Sequence, residues 1–151
     1  MTVKQPVSAS LAKAFVYIVL LSLLSTGVAL VTLASSLRDA EAVNIAGSLR
    51  MQSYRLGYDL ERQAMETTAH RQIYQQSLNS PVLQQLNRSY VPDIVGVRYA
   101  QLQESWQEMD ARIGENDKAW YQDNIQRYVE NIDQFVLALQ HYAERKMLLV
   151  L

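Results

Sequence analysis

The sequence lacks cysteine and has little glycine or proline, with five and three residues respectively. Without cysteine, these 151 residues hold no disulfide framework, no thiolate metal site and no cysteine nucleophile. The formal net charge is −1, so neither a nucleic-acid partner nor an acidic tail is indicated. The segments between the few glycines and prolines are rich in Leu, Gln, Glu, Ala and Arg. We therefore predict an all-α chain with room for one compact domain.

Motifs for catalysis and metal binding are also missing. The sequence contains no Gly-rich phosphate loop, no nucleophile elbow and no metal-binding helix signature. His70 and His141 each stand alone in the sequence, which favours a solvated or capping role over metal ligation. Arg55 is four residues before Asp59 and is interpreted as its partner in a surface pair. We predict that this chain is not an enzyme and that it holds no metal and no cofactor.

A long apolar segment without any charge runs from Ala14 to Ala34. At about 1.5 Å per residue it is long enough to cross a hydrocarbon core of roughly 30 Å, so we predict a transmembrane helix. Lys4 and Lys13 precede the segment and mixed charges follow it, which predicts an N-terminus in the cytoplasm. A cleaved signal peptide is the alternative, because small residues at the end of the segment resemble a cleavage site.

The C-terminal segment RKMLLVL, from Arg145 to Leu151, places a basic pair before an apolar run too short to cross a bilayer. We interpret it as the beginning of a second transmembrane helix in a longer protein. The alternative is a C-terminal helix whose last residues are apolar and do not enter a membrane. The predicted organisation is a cytoplasmic N-terminus at 1–13, transmembrane helix 1 at 14–34, an external domain at 35–145 and the truncated transmembrane helix 2 at 146–151.

Few turn signals interrupt the chain between its two ends, and they predict four long helices. The strong signals are Asn79-Ser80-Pro81, Val91-Pro92 and residues 113–117. The predicted helices run from the membrane to about Gln63, over 70–78, over 93–112, and from the N-cap Asp117 to the end, with a further helical turn near 82–86.

Apolar stripes at steps of four and three run along the third and fourth helices. They are Val95, Tyr99, Leu102, Trp106, Met109 and Ile113 on the third, and Tyr121, Ile125, Tyr128, Ile132, Phe135, Leu139 and Tyr142 on the fourth. Stripes of this kind are buried when helices pack together, so we predict an antiparallel four-helix bundle.

The first helix has two faces that differ in phase. One is a core stripe of Ala42, Ile45, Leu49, Gln52 and Leu56. The other, called here the small-residue seam, comprises Ser36, Ala40, Val43, Gly47, Arg50, Tyr54 and Gly57. Small residues permit close approach of another helix, and the first face is used within the bundle. We therefore predict that the seam packs against a second copy of the chain, as a twofold homodimer.

Arg50 places a permanent charge within this seam. Two guanidinium groups about 6 Å apart across a twofold axis repel by roughly 3 kcal/mol at an effective dielectric near 20. A planar oxyanion on the axis would relieve the repulsion, because two arginine forks can each donate paired hydrogen bonds to it. The residues one helical turn away, Ala46, Gly47, Ser53 and Tyr54, cannot neutralise Arg50. Pairing with a carboxylate or extension into water is the alternative.

The segment NIAGSLRMQSYRLGYDL, residues 44–60, closely resembles the periplasmic signature of the NarX/NarQ family of nitrate/nitrite sensor histidine kinases. The segments SASLAKAFVYIVLLSLLSTG, LASSLRDAEA and FVLALQHYAERKMLLV are similar to the same family. The resemblance thus covers both ends of the chain, whereas residues 62–126 are less distinctive.

This resemblance implies that nitrate, and nitrite more weakly, binds at a homodimer interface between two copies of the arginine that matches Arg50. The backbone at Gly47 would complete the site. It also implies a two-component sensor of the bacterial inner membrane, with its sensor domain in the periplasm. The family's HAMP domain, phosphoacceptor histidine and ATP-binding domain are not in this sequence, so ATP, kinase activity and a response regulator are expected of a longer parent protein.

We expect a sensor module in which nitrate bridges Arg50 and its symmetry mate and shifts the first helix along the fourth. Two other functions use the same kind of bundle. One is the ligand-binding part of a methyl-accepting chemoreceptor, and the other is a membrane-anchored structural bundle without a ligand. The residues that follow Leu151 would distinguish the first of these from a kinase.

Overall fold

A computed structural model describes residues 5–86 and 91–150, and these residues form five helices and no strand. The helices are α1 (Gln5–Arg62), α2 (Thr67–Leu78), α3 (Pro81–Gln84), α4 (Asp93–Gly114) and α5 (Lys118–Val150). The all-α prediction is confirmed for this part of the chain, and the helix bounds predicted from turn signals agree with those of the structure to within a few residues.

The chain divides into two compact units, Met1–Leu37 and Arg38–Leu151. The first unit is helical over its described residues and exposes large apolar side chains such as Leu24 and Val31. An 18-residue window in Val7–Arg62 has a mean hydropathy of 2.4, so α1 is long and apolar enough to cross a membrane. A signal sequence has the same properties, and the domain boundaries from the sequence analysis stay predictions.

The second unit, Arg38–Leu151, contains the rest of α1 together with α2 to α5. The turn between α4 and α5 fits its sequence, because Asn116 has a φ of 57°, a left-handed conformation that Asn tolerates well. The Trp120 backbone N–H donates to Asp117 Oδ1 at 3.2 Å, so Asp117 caps α5 as predicted. Farther along the two helices, the rings of Tyr99 and Phe135 stack with their centroids 5.5 Å apart.

The predicted apolar stripes form the core of this second unit. Every stripe residue of α4 is buried, as is every one of α5 except the half-buried Ile125. On α1 the core stripe is buried apart from the half-buried Ile45, and Ala46 and Ser53 are fully buried beside it. The period of the apolar residues therefore predicts correctly which side of each helix is buried.

The short helix α2 is held by aromatic and polar contacts to its neighbours. Tyr74 stacks on Trp106 with ring centroids 4.0 Å apart, and its hydroxyl bonds that of Tyr128. The Tyr99 hydroxyl of α4 donates to the Leu78 carbonyl of α2 at 2.5 Å. Between α5 and α1, the Tyr121 hydroxyl donates to the Ser53 carbonyl at 2.6 Å. These bonds satisfy phenol groups that the packing removes from water. Burial raises the pKa of Tyr74, Tyr121 and Tyr128.

Two predictions about ionic side chains are wrong. Asp59 is buried, and its Oδ2 is hydrogen bonded to Nδ1 of the partly buried His70 on α2, so His70 does not have the solvated or capping role expected. The expected surface pair of Arg55 with Asp59 is absent from the described contacts, and the Arg55 Nε is buried without a partner there. The spacing on α1 identified Arg55 as a possible partner of Asp59. In the structure, the partner of Asp59 is instead His70 of the neighbouring helix α2.

Candidate functional site

The Arg50 guanidinium lies at the surface of the second unit, with half of its side chain exposed. Its Nη2 forms an ion pair with Asp133 Oδ1 of α5, and the Asp133 side chain is also about half exposed, at 47%. Pairing with a carboxylate, which the sequence analysis gave as the alternative for Arg50, is therefore present in the structure. None of the four α1 neighbours considered there supplies that carboxylate, which comes from the helix beside α1.

The Asp133 contact occupies only part of the Arg50 hydrogen-bonding capacity. A guanidinium carries five N–H donors, and the ion pair in the structure uses those of a single nitrogen, Nη2. An ion pair this exposed is weak, because water screens the attraction between its charges. Arg50 can therefore hold Asp133 and still present donors to a second, planar acceptor.

Gly47 lies one helical turn before Arg50, and its surroundings are open. A Cβ built at Gly47 has no neighbouring atom within 4 Å among the described residues. No contact within the described chain explains a glycine here, and glycine costs an α-helix about 1 kcal/mol relative to alanine. The open backbone lies beside an exposed cation, which is a suitable arrangement for approach by another molecule.

The remaining seam residues differ in their surroundings. Ala40 and Tyr54 are exposed, as a contact surface for a second copy requires. Val43 is half-buried and packs against the core of its own chain. A Cβ at Gly57 would lie 3.1 Å from the buried Tyr121 ring of α5, so Gly57 serves close packing within the chain. Gly57 itself is half-buried, and its place in a dimer seam stays a prediction.

The exposed face of α1 overlaps the predicted small-residue seam but is rotated from it about the helix axis. At about 100° per residue, Gly47, Met51, Tyr54 and Tyr58 lie within one narrow sector of the helix, and we call this sector the α1 outer face. Met51, Tyr54 and Tyr58 are 59%, 51% and 56% exposed. Arg50 lies at the edge of this face, toward α5. The sequence analysis missed Met51 and Tyr58, although both follow at helical spacing from Gly47.

Three further contacts join α1 to α5. Lys146 Nζ lies 3.2 Å from Asp39 Oδ2, and the side chains of Gln122 and Glu61 are hydrogen bonded. The third contact is the bond from the Tyr121 hydroxyl to the Ser53 carbonyl. From the Asp39 pair to the Glu61 pair, the contacts advance along α1 and go back along α5. The Arg50–Asp133 pair lies between these contacts along both helices, so the candidate site is located where α1 and α5 meet.

Within residues 5–86 and 91–150, no group of three His, Cys, Asp or Glu side chains is placed to hold a metal ion. The chemistry offered by the site is that of a cation with spare donors, an adjacent carboxylate and an open backbone. This arrangement is suited to holding a small anion by hydrogen bonds.

Comparison with known proteins assigns the chain to a family. Residues 31–135 match the family described as PilJ, the N-terminal part of the type IV pili methyl-accepting chemotaxis transducer. The chain belongs to this family. The matched region begins near the end of the predicted transmembrane helix and includes α2, α3, α4 and the first half of α5, so it contains the whole candidate site.

Two curated relatives are similar along nearly the whole chain. The nitrate/nitrite sensor protein NarQ of Escherichia coli strain K12 is 69% identical over 150 residues, which is 99% of this chain and 26% of that protein. The sensor protein NarQ homolog of Haemophilus influenzae is 33% identical over 150 residues, with the same coverage. The chain thus spans about a quarter of the length of these relatives, and its resemblance to nitrate/nitrite sensors is confirmed.

Proposed function

We propose that this chain is the nitrate-sensing module of a two-component membrane sensor and that it works as a homodimer. The observation that carries the proposal is the half-exposed Arg50 beside the open backbone of Gly47, at the edge of an apolar helix face that the described chain leaves uncovered. The similar protein from E. coli, 69% identical, is named a nitrate/nitrite sensor. Nitrate is the expected ligand, with nitrite weaker.

The proposed architecture is an antiparallel four-helix bundle of α1, α2, α4 and α5. The contacts of α1 with α5 support it because they run in opposite directions along the two helices. The contacts of α2 with α4 also run in opposite directions along the two helices. Arg71 pairs with Asp110, and Gln75 farther along α2 accepts from Trp106, which is earlier in α4. In such a bundle the α1 outer face points away from the core and is available to a second copy.

Nitrate would bind on the twofold axis, between two Arg50 side chains. Its three oxygens lie in one plane, so it can accept paired hydrogen bonds from two planar guanidinium groups. Asp133 lowers the repulsion between the two arginines before nitrate arrives, and the open Gly47 backbone allows the ion to approach. A four-atom ligand at about 1.5 kcal/mol per atom gains roughly 6 kcal/mol, which corresponds to a Kd of tens of micromolar.

The signal would pass along α1 and α5. Arg50 belongs to α1 and its partner Asp133 to α5, so an anion that competes with Asp133 changes the contact between these two helices. No loop interrupts α1 between Arg50 and the apolar segment, and α5 is helical from Asp133 to Val150. We therefore propose a lengthwise shift of one helix against the other as the output.

The proposed location is the bacterial inner membrane, with the N-terminus in the cytoplasm and the bundle in the periplasm. The apolar part of α1 would span the bilayer, and the apolar residues after Arg145 would begin a second span. Kinase activity with ATP, and transfer to a response regulator, are proposed for the longer protein to which this part corresponds. No nucleic acid is proposed as a partner.

The direct test is calorimetric titration of the chain with nitrate, comparing Arg50→Ala with Arg127→Ala. Arg127 is an exposed arginine of α5 that bonds only Asn124 among the described contacts, so it is a matched control for loss of one charge. Nitrate binding should disappear in Arg50→Ala and stay unchanged in Arg127→Ala. Arg50→Lys should also fail, because an ammonium lacks the planar fork. Unchanged affinity in Arg50→Ala would refute the proposal.

A chemoreceptor input domain is the second candidate, and the family description favours it directly because it names a methyl-accepting chemotaxis transducer. The two candidates share an input fold and differ in output. Phosphotransfer from ATP in the intact parent protein, raised or lowered by nitrate, supports the sensor kinase. Nitrate-dependent methylation of the parent protein supports the chemoreceptor.

A further inference from the structure

A groove of about 490 Å³ lies between the beginning of α4 and the C-terminal half of α5. Among its lining residues are Ile94, Arg98, Leu137, His141, Tyr142 and Arg145. This volume lies in the range of sites that hold small molecules, roughly 300–1,000 Å³. The groove shares no residue with the Arg50 site.

The charged residues that line the groove carry one sign. Arg98 and Arg145 contribute two permanent cations, His141 adds a further donor, and no carboxylate lines the groove among the described residues. Arg98 Nη1 donates to the neutral side-chain oxygen of Gln101 at 3.3 Å. Glu144 is the acidic residue nearest to His141, at 3.8 Å, but its side chain is 71% exposed and outside the groove.

The groove also offers apolar surface beside these cations. Ile94 is 49% exposed and Leu137 is 52% exposed, while the Tyr142 ring is buried beneath them. A water-soluble anion would leave this apolar surface uncovered. A ligand that carries a negative phosphate next to an apolar chain would satisfy both parts, because arginine binds phosphate through paired hydrogen bonds and the apolar chain covers Ile94 and Leu137.

The groove lies next to the segment that we propose enters the membrane, where a ligand with a phosphate and an apolar chain is available. Arg145 lines the groove and is followed within two residues by the apolar run that we propose enters the membrane. Cationic side chains next to a transmembrane helix attract anionic headgroups. We propose that this groove binds the phosphate headgroup and upper acyl chain of an anionic phospholipid from the surrounding membrane. Bound lipid would link α4 to α5 at that surface.

This proposal goes beyond nitrate sensing, and it rests on the proposed entry of the apolar run after Arg145 into the membrane. The test is native mass spectrometry of the intact chain in detergent micelles. Phosphatidylglycerol or phosphatidylcholine with identical acyl chains is added, and glycerol phosphate is used as a competitor. The variant Arg98→Gln/Arg145→Gln removes both groove cations. The control Lys118→Gln/Arg127→Gln removes two charges from α5 outside the groove. Arg50→Ala is included to separate the two proposals.

Phosphatidylglycerol should bind the unmodified chain about tenfold more tightly than phosphatidylcholine, and the Arg98→Gln/Arg145→Gln chain should lose that preference. The control pair and Arg50→Ala should keep it. Leu137→Glu, which leaves both arginines in place, should weaken lipid retention as well. Equal retention of phosphatidylglycerol with and without the two arginines would overturn the proposal. If glycerol phosphate at the same concentration as the lipid displaced phosphatidylglycerol, the proposal would also be overturned. The groove would then bind a phosphate anion without an acyl chain.

Discussion

Arg50 of α1 and Asp133 of α5 form an ion pair across two helices, at a half-exposed position. In the proposed dimer, this pair would lower the repulsion between the two Arg50 cations before an anion binds. It also makes the carboxylate a competitor of any anion that binds Arg50. Ligand binding and helix contact then depend on the same guanidinium.

Asp133→Asn should bind nitrate more tightly than the unmodified chain. The amide keeps an oxygen that can accept from Arg50 but removes the competing negative charge. The affinity should therefore rise about 1.4- to fivefold, in line with exposed ion pairs of about 0.2–1 kcal/mol. Calorimetry at low ionic strength measures this change, and added chloride should reduce it. Weaker binding in Asp133→Asn would show that the charge of Asp133 positions Arg50 for the anion.

Gly47→Ala should weaken nitrate binding without destabilising the fold. The new methyl meets no atom of the described chain, and alanine favours a helix over glycine by about 1 kcal/mol, so the unliganded melting temperature should rise. Gly96→Ala on α4 is the control, because a Cβ there is also without neighbours. Both variants should melt higher, but only Gly47→Ala should lose nitrate affinity. Equal nitrate affinity in the two would remove Gly47 from the site.

Gly57→Ala should lower stability, in contrast to the two glycine substitutions above. The added Cβ would lie 3.1 Å from Cε1 of Tyr121, whose hydroxyl is held by the Ser53 carbonyl at 2.6 Å. Because the buried ring cannot move away easily, overpacking of about 1–3 kcal/mol outweighs the gain in helix propensity. Urea unfolding should show a lower free energy of unfolding, and Gly57→Ala/Tyr121→Phe should recover part of it. A stabilised Gly57→Ala would contradict the packing described here.

The stability of the second unit should fall at alkaline pH because of three buried phenols. Burial raises the pKa of Tyr74, Tyr121 and Tyr128, so the folded chain retains phenol protons that the unfolded chain releases near pH 10. Their contribution is fully present below pH 10 and is lost as the pH rises further, by about 1.4 kcal/mol per pH unit for each group.

Urea unfolding between pH 8 and pH 11 measures this effect, with tyrosinate absorbance recorded in parallel. Tyr74→Phe should reduce the slope above pH 10. Tyr54→Phe is the control, because that side chain is 51% exposed, and it should leave the slope unchanged. A free energy of unfolding that stays constant through pH 11 would contradict the burial of these phenols.

Local sequence patterns were enough to predict the helices and their buried sides. Apolar period, turn residues and the Asp117 cap act within one helix or one turn, so no knowledge of the fold is needed to interpret them. They also identified Arg50 and Gly47 as unusual, because a charge and a glycine interrupt an otherwise regular helical pattern. The name of the anion came only from resemblance to known sensors.

Contacts between helices could not be predicted in this way. Asp133 lies next to Ile132 of the α5 stripe, but its pairing with Arg50 depends on how far α5 is displaced along α1. The same register places the Tyr121 ring against Gly57, so a side chain there would meet α5. The pairing of Asp59 with His70 likewise required the position of α2. Many packing contacts together set these registers, and no single spacing in the sequence encodes them.

The number of nitrate ions bound per chain tests the central claim most directly. A site shared between two copies of Arg50 holds one nitrate for every two chains, so calorimetric titration of the dimer should give half an ion per chain, and Arg50→Ala should abolish the heat. Sedimentation of the same samples should show that nitrate strengthens the dimer. One nitrate per chain, bound by a monomer with Arg50 intact, would contradict the shared site.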